Sequence, residues 1–161
     1  MGGLRMLISI ADQSLRLVGP DGTDRIYRVS TAANGAGCRS GSFCTPIGRH
    51  RVRLKIGDGC PVGTVFRRRR ATGEIYDGEL GRRFPGRDWV LTRILWLDGL
   101  EQGVNRGGEV DTLRRFIYLH GTPYEQDIGQ PVSHGCIRVG AADLVEIFDA
   151  VTVGAEVLIS P

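Results

Sequence analysis

The sequence predicts a mainly β (α+β) fold, in which a mixed sandwich-like or barrel-like sheet is accompanied by one principal helix near the carboxyl end. Three observations favour it. The 161-residue chain contains 24 glycines, more than average, and its apolar residues alternate with polar ones in several short runs. Only residues 141–151 repeat apolar side chains at helical spacing. At this length we expect one domain over residues 1–161.

Composition and charge argue against several classes of protein. A hydrophobic content of 41% and a charged fraction of 24% are ordinary for a soluble globular protein. The net charge of +3 is mild, so we expect no nucleic-acid partner. The dense basic run Arg67–Arg70 is more typical of a solvated surface or of contact with an acidic partner. No apolar run is long enough to span a bilayer. We also expect the protein to be a monomer.

The first third of the chain predicts four strands separated by turns and one loop. Three residues join the first two strands in a hairpin, and the turn sequence at 19–22 precedes the third. The Gly/Ser-rich loop 31–46 carries Cys38 and Cys44 and ends in Pro46, whose missing N–H costs no ladder bond just before a strand. The four predicted strands are 4–10, 14–18, 25–30 and 49–56.

The remaining segments predict a buried strand, two long loops, a short strand and the helix. Residues 57–88 are rich in glycine and arginine and read as a long loop with a short strand near Val65, which either walls a cleft or is simply solvated. The apolar segment 89–97 predicts a buried central strand, followed by the glycine-rich loop 98–111. The other predicted elements are strand 116–119, helix 141–151 and strand 157–159.

A cysteine and a histidine lie two residues apart in the run Ser133–Arg138, and a second histidine, His120, ends the strand at 116–119. Free cysteine titrates near 8.5, so a thiol needs a neighbouring base or cation to become a thiolate at neutral pH. Cys136 is therefore a candidate activated nucleophile. Two alternatives stay open: a buried thiol beside core histidines, and a zinc site made by His120, His134 and Cys136.

These motifs resemble the signature of the L,D-transpeptidase catalytic domain of the YkuD type. The resemblance rests on His120-Gly121-Thr122 and on Ser133-His134-Gly135-Cys136-Ile137-Arg138, with Thr45-Pro46-Ile47-Gly48 as a second landmark. It extends over essentially the whole chain, which looks like a short proteobacterial subgroup. It implies a cysteine-dependent acyltransferase of cell-wall biogenesis and cell shape, acting on peptidoglycan stem peptides without cofactor or metal and captured by carbapenems.

The resemblance also implies roles for individual residues. Cys136 is the nucleophile and His120 the base, with the ring of His120 oriented by the carbonyl of Gly121. From the residues alone His134 competes as base, because side chains two apart on an extended stretch share a face. Gly135 allows a tight turn before the nucleophile, where backbone N–H groups stabilise an oxyanion. The expected substrate-binding residues are Arg138, Ser133, Tyr118 and Thr122.

Several of these expectations have a plainer alternative. Arg138 suits a substrate carboxylate or a structural ion pair, and Ser133 has bracing of its loop as the alternative to substrate binding. Tyr118 is more typical of a core position, and Cys38 with Cys44 form either a disulfide or two free thiols.

Function and location also leave alternatives. The acyl acceptor is an amine or, in an L,D-carboxypeptidase, water; a non-catalytic peptidoglycan-binding module is the rival function. No secretory signal is visible at Met1–Arg5, yet a wall enzyme needs export, so we expect a periplasmic location.

Overall fold

The computed structural model describes residues 3–161; Met1 and Gly2, part of the stretch in which no secretory signal is visible, lie outside the described residues. Within residues 3–161, ten strands form one sheet, and two α-helices accompany them. The strands are β1 (Arg5–Ser9), β2 (Ser14–Val18), β3 (Asp24–Ser30), β4 (Gly48–Ile56), β5 (Thr64–Arg67), β6 (Arg70–Ile75), β7 (Val90–Gly99), β8 (Tyr118–Gly121), β9 (Ile137–Val139) and β10 (Glu156–Ser160). The helices are α1 (Gly78–Arg83) and α2 (Ala141–Ala150), with 3-10 turns at Gly108–Val110 and Glu125–Asp127.

The sheet closes into a barrel. Its strand order is β4-β10-β1-β2-β3-β9-β8-β7, and β4 also pairs with β7, so these eight strands form a ring. The β5–β6 hairpin extends the sheet from β7 outside the ring. The predicted mainly β, barrel-like class with one principal helix is therefore confirmed.

Alternating apolar side chains and one face of α2 build the main core. Met6 and Ile8 in β1 are at most 1% exposed, as expected of strand positions two apart that share a face. Helix α2 contributes Leu144, Ile147 and Phe148, all buried, and each such side chain typically stabilises the fold by about 1.5–3 kcal/mol. The helical spacing that predicted 141–151 thus reports the buried face correctly.

Two segments differ from the prediction. Residues 57–88 contain the short strand predicted near Val65, which is β5, but β6 and α1 lie where a loop was predicted. Strand β6 was missed because its mostly exposed side chains carry no apolar alternation, and it is held by pairing with β5. Helix α1 begins where Asp77 accepts a hydrogen bond from the Leu80 N–H at 2.8 Å. Phe116, predicted to start a strand, has φ +57° in a turn, and β8 begins two residues later.

The register of β8 and β9 positions the motif residues. The two strands are parallel, with Leu119 opposite Ile137 and His120 opposite Arg138. Leu119 and Ile137 are fully buried in the main core. Because successive side chains of a strand point to opposite faces, His120 and Arg138 lie on the face away from that core.

Candidate active site

One face of the β8–β9 pair carries the residues that the sequence singled out. Tyr118 and His120 alternate along β8, and Cys136 and Arg138 alternate along the neighbouring stretch, so all four share that face. They line a cavity of about 240 Å³. The parallel register therefore brings together two motifs that are separated in the chain by a loop.

His120 has the geometry of a neutral base. It is 2% exposed, and its Nδ1 lies 2.7 Å from the carbonyl oxygen of Gly121. A carbonyl only accepts, so Nδ1 carries the proton and Nε2 keeps its lone pair. Burial lowers the pKa of His120, an effect that the Gly121 hydrogen bond and the charge of Asp88 oppose and the charge of Arg138 reinforces. The imidazole is therefore uncharged at neutral pH.

The Cys136 thiol is held by the backbone of the neighbouring segment. The Tyr118 N–H donates to Sγ at 3.3 Å, and the thiol donates to the Phe116 carbonyl at 3.2 Å. Burial raises the pKa of Cys136 to about 12, although the Tyr118 N–H favours the thiolate. The resting group is thus a thiol and not a thiolate, so any reaction at this sulfur needs a base to take its proton.

Two hydroxyl groups brace the turn before Cys136. Ser133 is 2% exposed; its Oγ donates to the Cys136 carbonyl at 2.6 Å and accepts from the Gly135 N–H at 3.2 Å. The buried Thr45 donates to the Gly135 carbonyl at 2.8 Å and accepts from the Ala32 N–H at 3.0 Å. Sequence reasoning placed Thr45 in a landmark motif but gave it no part in the site.

The Cys136 N–H is a candidate oxyanion donor. Within residues 3–161 it donates to no protein group, whereas the N–H of Gly135 is taken by Ser133. A free N–H beside a thiol could stabilise the tetrahedral oxyanion of an acyl transfer, and such a donor is typically worth about 3 kcal/mol.

Gly135 adopts a conformation that other residues rarely reach. Its φ is +132°, and a Cβ there would lie 3.2 Å from the Cys44 carbonyl oxygen and 3.3 Å from Cδ1 of Ile117. Both the backbone and the space around it therefore favour glycine.

Replacing Gly135 with alanine should destabilise the protein and slow acylation of Cys136. Backbone strain of this kind costs about 1–3 kcal/mol, which corresponds to a fall of roughly 2–12 °C in melting temperature. Calorimetry and intact-protein mass spectrometry measure the two effects. Gly22→Ala is the matched control, because Gly22 has φ +90° with open space around it in a distant turn. Equal acylation rates in the two variants would contradict this role for Gly135.

His134 lies in a different setting from His120. It is exposed, it borders the same cavity, and its ring meets Phe43 edge-on with centroids 6.2 Å apart. Within the described part of the chain no group hydrogen-bonds its ring, so nothing fixes its tautomer. Of the two histidines, His120 has the features of an oriented base.

The predicted substrate-binding residues separate into two groups. Arg138 and Ser133 border the cavity, and no carboxylate of residues 3–161 forms an ion pair with Arg138. Tyr118 also borders it but is only 7% exposed, and its hydroxyl accepts from Arg69 at 3.2 Å. Thr122 does not border the cavity; its hydroxyl accepts a hydrogen bond from the Tyr124 N–H at 3.1 Å.

Two charged residues at the cavity were missed from sequence. Arg115 donates to the Cys44 carbonyl at 2.6 Å and the Gly37 carbonyl at 3.2 Å, and burial lowers its pKa. Asp88 is an exposed carboxylate that also borders the cavity. Each stands just before an apolar segment that enters the core, and a charge at the end of a buried strand was the available signal.

The cysteines outside the motif are free thiols. Cys38, Cys44 and Cys60 make no disulfide, so the bridge considered between the first two is not formed. The sulfur of Cys38 instead accepts the Ile47 N–H at 3.4 Å, and that of Cys44 donates to the Asn34 carbonyl at 3.5 Å. Within residues 3–161 no three His, Cys, Asp or Glu side chains are grouped as metal ligands.

A family model supplies the first comparison with known proteins. The model of the L,D-transpeptidase catalytic domain, YkuD, matches residues 4–159. The chain is also 30% identical over 116 residues to YqjB of Bacillus subtilis (strain 168), whose name assigns it provisionally as an L,D-transpeptidase. This match covers 72% of the chain and 52% of YqjB.

Solved structures resemble the fold. An L,D-transpeptidase from Mycobacterium smegmatis has a TM-score of 0.57 at 20% identity, covering 99% of this chain and 59% of that one. L,D-transpeptidase 3 from Mycobacterium tuberculosis, solved in complex with a faropenem-derived adduct, has a TM-score of 0.61 at 17% identity, covering 99% and 60%. The chain thus spans between half and three fifths of the length of these relatives, and at such identities the structures show a shared fold.

Proposed function

The chain belongs to the family of L,D-transpeptidase catalytic domains, and we propose that it is a cysteine acyltransferase that cross-links peptidoglycan stem peptides. The donor is a tetrapeptide stem, cut after its third, diamino-acid residue with release of the terminal D-alanine. The acceptor is a side-chain amine of another stem. Residues 1–161 act as one catalytic domain in this proposal.

The proposed reaction has two halves. Cys136 Sγ attacks the carbonyl carbon of the third stem residue while His120 Nε2 takes the thiol proton. The Cys136 N–H stabilises the oxyanion, and His120 then protonates the departing D-alanine amine, leaving a thioester. An amine attacks the thioester carbon, the C–S bond breaks, and an amide forms.

One observation supports this reaction most strongly. A buried, neutral imidazole with its Nδ1 proton fixed by a carbonyl borders the same cavity as the Cys136 thiol. A module that only binds peptide needs neither a thiol nor an oriented base. Arg138 borders this cavity without an ion-pair partner in the described chain, which suits a stem carboxylate.

Incubating the protein with purified disaccharide-tetrapeptide tests the function. We expect release of D-alanine and a cross-linked dimer, both measured by chromatography with mass spectrometry. A tripeptide product alone would identify an L,D-carboxypeptidase, in which water takes the acyl group. Binding of the stem without turnover, preserved in Cys136→Ala, would instead identify a peptidoglycan-binding module and overturn the proposal.

The substrate implies where the protein works. Peptidoglycan lies outside the cytoplasm, so we propose a periplasmic location. Fractionation of cells that express the full-length gene tests this location. A protein found only in the cytosol would contradict it. Within residues 3–161 no helix is long and apolar enough to cross a membrane.

A further inference from the structure

A groove adjoins the cavity that contains Cys136 and His120, here called the catalytic cavity, and no step of the proposed reaction uses it. It encloses about 950 Å³ between the β5–β6 hairpin and residues 83–88. Asp88 borders both the groove and the catalytic cavity, so the two spaces are neighbours. The cavity, about 240 Å³, is smaller than the roughly 300–1,000 Å³ of typical ligand sites, so a peptide substrate must extend beyond it.

The groove combines unpaired cations with apolar surface. Arg67 and Arg83 border it, and neither forms an ion pair with a carboxylate of residues 3–161. Among the described residues, the one ion pair on the groove wall is Arg87 with Glu74 at 2.8 Å, which neutralises the charge of Glu74. The ring of Phe84 lies under Arg83, with the guanidinium carbon 5.5 Å from its centroid. This lining is complementary to an anionic peptide.

Asp88 gives the junction the opposite charge. It is the one carboxylate bordering the catalytic cavity, and it has no ion-pair partner among the described residues. Its negative charge acts to raise the pKa of both His120 and Cys136, as expected of a carboxylate near the reacting groups. A cationic group held by Asp88 would therefore stand at the entrance to the reaction site.

We propose that this groove binds the acyl-acceptor stem, a peptide that carries carboxylates and one side-chain ammonium. Arg67 and Arg83 bind its carboxylates, and Asp88 holds the ammonium at the edge of the catalytic cavity. This inference rests on the proposed function and specifies it, because a bound amine competes with water for the thioester. The groove thereby directs the enzyme toward cross-linking and away from hydrolysis.

In the transfer step the acceptor nitrogen replaces the Cys136 sulfur on the acyl carbon. The ammonium first gives one proton to solvent, and the neutral nitrogen attacks the thioester carbon on Cys136. The C–N bond forms, the C–S bond breaks, and the sulfur leaves with the electron pair. The second proton of the attacking nitrogen passes to His120 Nε2 and from there to the sulfur, which restores the thiol and the neutral imidazole.

The experiment measures how the thioester is divided between amine and water. The full chain is incubated with disaccharide-tetrapeptide, and the ratio of dimer to tripeptide is measured for the parent, Asp88→Asn, Arg67→Gln and Arg83→Gln. Each substitution should lower the ratio about two- to fivefold, the effect of one solvent-exposed ion pair. Higher salt should lower the parent's ratio, because exposed charges are screened.

A second acceptor separates the two kinds of charge. 1,5-Diaminopentane carries ammonium groups but no carboxylate, so transfer to it should fall in Asp88→Asn and be unaffected by Arg67→Gln and Arg83→Gln. Arg53→Gln is the matched control, because Arg53 is exposed on β4 and does not border the groove. It should behave as the parent with both acceptors.

The outcomes distinguish this inference from the proposed function. If the parent makes dimer and the three groove variants keep its dimer-to-tripeptide ratio, the groove does not bind the acceptor. If the Arg67 and Arg83 substitutions instead raise the KM for donor consumption and leave the ratio unchanged, the groove binds the donor and the inference is overturned. A parent that releases D-alanine but makes only tripeptide overturns it too. A parent that releases no D-alanine and forms no covalent adduct refutes the proposed function itself.

Discussion

Replacing Cys136 with alanine is expected to abolish all covalent chemistry of the protein. The variant should form no adduct with a carbapenem such as imipenem and release no D-alanine from disaccharide-tetrapeptide, because no other sulfur borders the catalytic cavity within residues 3–161. Intact-protein mass spectrometry reads the adduct directly. The variant should stay folded, since alanine removes only the sulfur and its two hydrogen bonds to the backbone.

Cys60→Ala is the matched control for this prediction. Cys60 is also a partly buried free thiol, packed near Tyr118 on the same side of the barrel, but it does not border the cavity. It should acylate at the parental rate. If Cys136→Ala still forms the adduct and Cys60→Ala does not, the nucleophile is Cys60. That result would contradict the proposed reaction.

Replacing His120 with alanine is expected to slow acylation of Cys136 by about a hundred- to ten-thousand-fold, the usual cost of losing a general base. The effect should be large because burial raises the pKa of Cys136 to about 12, so almost no thiolate exists at neutral pH without a base. Stopped-flow fluorescence or timed mass spectrometry of the imipenem adduct gives the rate. Circular dichroism should show that the variant remains folded.

The pH dependence of the acylation rate of the parent protein should also identify His120 as the base. Protonated His120 cannot accept the thiol proton, so the acylation rate should fall as pH falls through the pKa of His120. Burial lowers that pKa below its usual value near 6.5, so the fall should lie on the acid side of about pH 6.5. The rate should vary little between that limb and neutral pH. In His120→Ala this acid limb should disappear.

His134→Ala is the comparison that assigns the base. Its ring is exposed and no group of the described chain orients it, so its loss should slow acylation much less and preserve the acid limb. The assignment of the two histidines is reversed if His120→Ala acylates at the parental rate while a folded His134→Ala stays unmodified.

Local patterns in the chain determined most of the barrel. Alternation of apolar side chains predicted β1 to β4, a continuous apolar run predicted β7, and helical spacing predicted α2. Each of these patterns can be recognised within a few residues, because side-chain direction repeats every two residues in a strand and every 3.6 residues in a helix. The same locality explains the failure at β6, whose exposed side chains leave no alternation to read.

The cysteine motif and its two histidines were also visible in the sequence, but their arrangement was not. The parallel register of β8 with β9 places His120 beside Arg138 and puts the Tyr118 N–H on the Cys136 sulfur. A shift of one residue would turn His120 into the core, so packing of Leu119 on the other face fixes the register. The free energy that sets this register therefore comes from packing throughout the barrel and not from the motif residues alone.

Contacts between distant segments decided the rest of the site. Thr45 braces the Gly135 carbonyl from 90 residues away, and Asp88 reaches the cavity only because the hairpin and β7 fold beside it. The residue types alone determined which functional groups are present: a thiol, an imidazole and unpaired charges. Closure of the barrel between β4 and β7 decided which of these groups meet. Burial decided that His120 and Cys136 are uncharged. Burial is a property of the folded chain, and no short stretch of sequence contains it.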